Sequence, residues 1–297
     1  MVSTDAGIDD ALALVLLAHH TGAPGNYLLA TGGNVPLSDV VSNCAYLAKV
    51  FGWECPLFAG SDPPPGAPVR DAADVHGPHG LAERAVPAAT APDLTQVMQE
   101  LETETDDVDM LVLGPATDAA ALLDRPSLAE RVRRIVLMGG AFEATEGRLG
   151  NVTPFAEFNV YMDPTAAWRV IASDAEVAFV PLNATRQRLF GAAELLAGAG
   201  GGERPKLVRE LVEYLQAAHV RLGAGRGVFM HDVIAAAIWA GLLEPEWAQT
   251  RVQEVIPDGE RRGLIITGDA EGVPVRYARR IDAGRFLTLW RRTVAAL

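Results

Sequence analysis

The sequence predicts an α/β protein, an open, mostly parallel sheet flanked by helices. Apolar runs of strand length alternate with helical patterns of 10 to 15 residues, the arrangement that βαβ units produce. Small polar clusters rich in Gly, Asn and Asp stand at the junctions between them, and open α/β sheets bind ligands beyond the carboxyl ends of their strands. In chain order, the run Ala11-Leu-Ala-Leu-Val-Leu-Leu17 places a helix over residues 9–19, and residues 26–30 read as a strand. A helix over 37–50 follows, then the Gly- and Pro-rich stretch 60–66, which must be irregular. A helix over 94–102, a strand over 110–113 and a helix over 116–123 come next. The pattern repeats with strand 134–138, helix 164–172 and strand 177–181. Four glycines at 198–202 read as a loop tip before helices over 206–222 and 233–241 and a last strand over 262–267.

Composition supports one large unit. The chain has 297 residues, 49% apolar and 21% charged, which is ordinary globular composition, and no internal repeat of solenoid length. We expect a single domain over 1–297. No stretch reaches the roughly 18 apolar residues of a membrane span, and the start lacks a basic and apolar leader, so a soluble, unexported cytoplasmic protein is expected. Only two residues precede Ser3, which makes the first strand short at its start. The net charge of −13 repels polyanions, and nucleic acid is not an expected partner. The basic runs Arg131-Val132-Arg133-Arg134 and Arg261-Arg262 read as solvated ends of elements. Cys44 and Cys55 are too few for a disulfide framework or a zinc site.

Five short segments carry chemistry. Thr4-Asp5-Ala6-Gly7-Ile8-Asp9-Asp10 puts three carboxylates at a helix start. Capping and the helix dipole need one or two, and three packed closely repel unless a cation sits among them. Oxygen donors suit a hard ion such as Ca²⁺ or Mg²⁺ rather than zinc. Thr31-Gly32-Gly33-Asn34-Val35-Pro36 and Leu113-Gly114-Pro115-Ala116-Thr117-Asp118 are strand-to-helix turns, the first offering an amide and the second a free backbone carbonyl. Leu137-Met138-Gly139-Gly140 is followed by Asn151 and by Ala156-Glu157-Phe158-Asn159. Two amides and a carboxylate on a segment without helical period suit the hydroxyls of a sugar better than a core. Phe229-Met230-His231-Asp232 opens an apolar helix, where the pair is either a cap or a titratable group beside a metal ligand.

Taken in this order, the five segments resemble the inosine-uridine-preferring nucleoside hydrolase family over nearly the whole chain. The resemblance implies the nucleoside hydrolase fold, an open Rossmann-like sheet, with one tightly bound Ca²⁺. It also implies hydrolysis of the N-glycosidic bond of a ribonucleoside, a pyrimidine nucleoside or inosine, to base and ribose. By match of motif, Asp5, Asp10, Asp232 and the carbonyl of Leu113 are the implied metal ligands, and Asp5 the implied general base. Asp9, Asn34, Asn151, Glu157 and Asn159 match ribose-binding positions, whose hydrogen bonds hold a sugar as it becomes oxocarbenium-like. His231 is implied to serve the leaving base, and His76 matches a position occupied by histidine in relatives active on uridine or cytidine. His79 and His219 carry no assigned role. The resemblance further implies a homodimer or homotetramer engaged in nucleoside salvage.

The chain departs from the family pattern at Ser3, where an acid is common, at Ala6, where proline is common, and in a longer 141–150 segment. A catalytically weak or silent relative that binds a ribose-containing ligand is the alternative these departures raise. A metal-dependent phosphatase is a third reading, but Gly7 stands where its second aspartate is expected.

Overall fold

The computed structural model describes residues 1–64, 72–142, 149–268 and 270–297. Residues 65 and 66 of the stretch expected to be irregular, and most of the 141–150 segment, lie outside the described residues. The strands are β1 (Val2–Thr4), β2 (Leu28–Ala30), β3 (Leu57–Ala59), β4 (Val108–Val112), β5 (Val132–Met138), β6 (Glu176–Val180), β7 (Glu246–Val255), β8 (Ile265–Gly268) and β9 (Val273–Arg280). They form one nine-stranded sheet in the order β3-β2-β1-β4-β5-β6-β9-β7-β8. β1 to β6 and β9 pair in parallel, while β7 runs antiparallel to both β8 and β9.

Side chains alternate across the central strands, as a period of two requires. Met110, Val112, Ile135, Leu137, Val177 and Phe179 face one apolar layer. Leu111, Val136, Met138, Ala178 and Val180 face the other. Both faces are covered, which is why these strands read as uninterrupted apolar runs. The helix Ile8–Thr21 lies in the second layer with every residue from Ile8 to Leu17 buried. It ends at Gly22, whose left-handed φ of 88° lets its N–H reach the Ala18 carbonyl. On the first face, Asp93 caps Leu94–Thr103 through the Gln96 N–H at 3.1 Å. Asp163 likewise caps Pro164–Ile171 through the Ala166 N–H at 2.9 Å.

The structure departs from the sequence expectations at three places. The expected strand 262–267 begins only at Ile265 and pairs antiparallel. Arg262 is drawn into the preceding turn, where its guanidinium donates to the carbonyls of Tyr161, Met162 and Pro257. The segment around Glu157 and Asn159, read as lacking helical period, contains the short helix Phe158–Met162. The run Arg131 to Arg134 is more than a solvated end. Arg131 donates to the carbonyls of Leu101 and Asp106, Arg133 pairs with Asp107 at 3.1 Å, and Arg134 grips Asp109 with contacts of 2.6 and 3.0 Å. The run is neutralised locally and forms no basic patch. No helix among the described residues is long and apolar enough to cross a membrane.

Candidate active site

The turns that follow β1, β2, β4, β5 and β6 all open on the carboxyl edge of the sheet, because these strands are parallel. Asp5 follows β1 and is fully buried. Its Oδ2 accepts from the Asn34 backbone N–H at 2.8 Å, and its Oδ1 from the Asn34 side-chain amide at 3.1 Å. The turns after β2 and β4 close on it from two sides. A Cβ at Gly33 would collide with the Asp5 carboxylate, and one at Gly114 would lie 2.9 Å from its Cγ. Glycine at these places is therefore a packing requirement. Gly33→Ala forces a methyl into this cradle, and we expect a stability loss of about 1–3 kcal/mol with reduced turnover. Thermal melts and steady-state rates check this; an unaltered rate would mean that the carboxylate is not held by this turn.

Asp10, in the first turn of the helix Ile8–Thr21, is the hub of the cluster. It accepts from Thr4 Oγ1 at 2.6 Å, from the N–H groups of Gly7 at 3.0 Å and Asp5 at 3.2 Å, and from the Asn34 amide at 3.1 Å. Asp9, Asp10 and Asp232 are buried and each bring one carboxylate oxygen within 4.8 Å of the others. Asp232 comes from the first turn of the helix His231–Trp239, far away in sequence. Loss of hydration on burial, together with repulsion from Asp10, raises Asp5 well above the usual carboxylate range and lifts Asp9 to about 7. Burial followed by repulsion from Asp9, Asp10 and Asp5 raises Asp232 likewise. Among the described residues no lysine or arginine pairs with these four groups. Their one ionisable partner of opposite sign among the described residues is His76, whose Nδ1 stands 3.8 Å from Asp9. That histidine is not a counter-charge, because burial pushes it down to about 4. A compact, oxygen-only anionic cluster without a cationic partner among the described residues fits a hard divalent cation.

His76 ends the short helix Ala73–His76, and its Nδ1 accepts the Ile8 N–H at 3.0 Å. An accepting Nδ1 leaves the neutral ring's proton on Nε2. His231 bonds through Nδ1 to Thr185 Oγ1 at 2.7 Å, and burial pushes it down to about 3, with His219, Arg186 and His76 adding to the effect. Its ring centroid lies 5.6 Å from that of Phe229.

The remaining sequence candidates divide. Asn159 is buried, and its amide donates to the Leu113 carbonyl at 2.6 Å and the Met138 carbonyl at 3.0 Å, tying the β4 turn to the end of β5. Glu157 is buried and caps the helix Phe158–Met162, accepting from the N–H groups of Asn159 and Val160 while also holding Gly140. Asn151 is exposed, and its backbone N–H bonds the Ala156 carbonyl at 3.1 Å. Asp5, Asp9, Asp10, Asn34, Asp232 and His76 are brought together; Glu157, Asn159 and Leu113 form a second, adjoining group. Sequence reasoning passed over Thr185 and Arg186, which follow β6. The carboxyl-end rule alone points to them.

A family model described as inosine-uridine-preferring nucleoside hydrolase matches residues 1–288. Uridine nucleosidase 1 of Arabidopsis thaliana is 32% identical over 244 residues, covering 79% of this chain and 71% of the relative. The non-specific ribonucleoside hydrolase RihC of Klebsiella pneumoniae is 31% identical over 253 residues, covering 83% and 79%. Among solved structures, a plant nucleoside hydrolase, PpNRh1, superposes with a TM-score of 0.86 at 23% identity, covering 100% of this chain and 98% of that one. A purine-preferring ribonucleoside hydrolase from Gardnerella vaginalis gives a TM-score of 0.84 at 23% identity, covering 99% and 97%. The order of motifs, the sheet that gathers them at one edge and the family match agree: this chain belongs to the inosine-uridine-preferring nucleoside hydrolase family and is a nucleoside hydrolase.

Proposed function

We propose that the chain hydrolyses the N-glycosidic bond of ribonucleosides, pyrimidine nucleosides and inosine among them, to free base and ribose in a Ca²⁺-dependent reaction. The observation that carries this reading is the buried cluster of Asp5, Asp9, Asp10 and Asp232, which no lysine or arginine among the described residues pairs with. In the proposal, Asp5, Asp10, Asp232 and the Leu113 carbonyl hold the cation. Asp9, whose oxygen joins Asp10 and Asp232 within 4.8 Å, lies close enough to serve either the cation or a sugar hydroxyl. When bound, the cation neutralises the acids and makes a water easier to deprotonate.

The chain's own groups do the rest. Asp5, fixed by Asn34 and enclosed by two glycine turns, takes the proton of the attacking water. Asn34, Asn159 and Glu157 keep the carboxylate and carbonyl acceptors of the site in register, and with Asp9 and Asn151 we assign them to the ribose. Ionised acids around the sugar favour the positive charge that grows on it as the bond to the base breaks. The glycosidic electron pair leaves with the base. His231, anchored at Nδ1 by Thr185, presents Nε2 to that base, and His76 offers its Nε2–H. The single nine-stranded sheet supports reading 1–297 as one domain. A cytoplasmic homodimer or homotetramer acting in nucleoside salvage rests on the family resemblance.

Incubation with uridine, cytidine, inosine and adenosine, with base and ribose measured separately, tests the reaction. Equimolar release of both is expected, whereas binding without release would favour a ligand-binding relative. For His231→Ala, a loss of roughly 10²–10⁴-fold is expected with uridine. A much smaller loss is expected with a nitrophenyl riboside, whose leaving group needs no help. Equal losses on both would remove His231 from the leaving-group side.

A further inference from the structure

Arg186 takes no part in the reading above, yet its guanidinium lies over Phe229, whose ring neighbours His231. It directly follows Thr185, the last residue of the short helix Leu182–Thr185 that β6 feeds. While Thr185 anchors His231, the guanidinium carbon of Arg186 lies 5.2 Å from the centroid of the Phe229 ring. Phe229 in turn stands 5.6 Å from His231 and 5.6 Å from His219. These groups form a wall of flat surfaces that begins one residue from Asp232 and leads away from the carboxylates. Because the wall starts beside Asp232, a heterocycle attached to a ribose at the acids could reach it, and ring faces stack favourably on such surfaces.

The guanidinium is loosely engaged. Its Nη1 lies 3.4 Å from the Leu149 carbonyl and 3.3 Å from the Gly150 carbonyl, at the long end of hydrogen bonding. No described residue accepts from its Nε or Nη2. A guanidinium is always charged and carries five N–H donors and no acceptor.

We propose that Arg186 is a specificity-determining residue for the base: seated on Phe229, it donates to a ring carbonyl oxygen of the departing base and so favours oxo bases over amino bases. The inference rests on the ribonucleoside-hydrolase reading of the site. Uracil and hypoxanthine carry an oxygen where cytosine and adenine carry an amino group. The oxygen accepts from a guanidinium, whereas an amino group sets donor against donor and leaves a partly desolvated N–H unpaired. The preference grows in the transition state. As the C–N bond breaks, its electron pair delocalises from the ring nitrogen onto the carbonyl oxygen, next to a fixed positive charge.

The test is kcat/KM for uridine, cytidine, inosine and adenosine with wild-type enzyme, Arg186→Met and Arg186→Gln, all loaded with Ca²⁺ and compared by thermal melting. The glutamine variant keeps a polar planar group should the methionine variant fail to fold. The uridine-to-cytidine and inosine-to-adenosine ratios are expected to fall by roughly 10- to 100-fold in the variants, the range of one hydrogen bond to a charged donor. Equal losses on all four substrates would overturn the proposal and leave Arg186 as a tie between Phe229 and the 149–150 backbone. Unchanged ratios at unchanged rates would overturn it as well. A wild-type enzyme inactive on all four nucleosides would instead defeat the ribonucleoside reading itself.

Discussion

Asp5→Ala is expected to lower kcat for uridine by roughly 10²–10⁴-fold, the range of a lost general base, while the protein stays folded. Asp5 lies at the end of a central strand, fully buried, with both oxygens engaged by Asn34 and with glycines on two sides. A carboxylate so enclosed, and raised by burial and by Asp10, destabilises the fold when ionised, the pattern of a group kept for chemistry, as proposed for Asp5. Asp5→Asn makes the distinction sharper. It keeps the volume and removes a repelling charge but turns an amide NH2 toward one of the two Asn34 donors, so the variant is expected to stay folded with a small change in melting temperature while turnover is lost. Melting curves and steady-state rates on one preparation check both halves. Near-normal turnover in either variant would take the proton-accepting role away from Asp5.

Removing the cation is expected to abolish turnover and to make stability fall as pH rises. Asp9 is lifted to about 7, and Asp5 and Asp232 are raised, by burial and mutual repulsion. Unfolded aspartates titrate near about 3.9. A carboxyl whose folded pKa is the higher one favours the fold at acid pH, and that contribution is lost as pH climbs through the folded value. Chelated protein is therefore expected to lose melting temperature as pH rises from about 4 through about 7, the value to which Asp9 is lifted. A bound cation removes the repulsion and stabilises by mass action, so the gap between Ca²⁺-loaded and chelated melting temperatures widens over the same range. A chelated protein whose melting temperature is flat or rises with pH would contradict the idea that these carboxylates are uncompensated.

The central parallel strands were legible because both of their faces are buried, which leaves nearly continuous apolar runs such as those of β5 and β6. The carboxyl-terminal part was not. β7 lies beyond β9 toward the edge of the sheet, and most of its residues keep some exposure, so Glu246–Val255 has no apolar run. In β9 the pattern Val273-Pro-Val-Arg-Tyr277 does alternate, and the helix Ala283–Ala295 buries Phe286, Leu287, Trp290 and Val294 at helical spacing behind the cap Asp282. Those two signals were present and were passed over. Within the candidate site, the acids and His231 stand out in the sequence because each sits in a short motif. The roles of Glu157 and Asn159 could not be read at the same level. One caps a short helix and the other bridges two strand ends, and both tasks depend on which turns β4 and β5 bring side by side. Asn151 shares their sequence neighbourhood, yet its backbone places it at the surface.

The most direct test of the cation-filled site is a titration of Ca²⁺ into chelator-stripped protein, with bound metal measured by equilibrium dialysis and ribose release from uridine followed on the same samples. The four acids and the family match predict no release without cation, and a rate that rises to a plateau as one equivalent binds. Full ribose release by protein shown to hold no divalent cation would contradict that assignment.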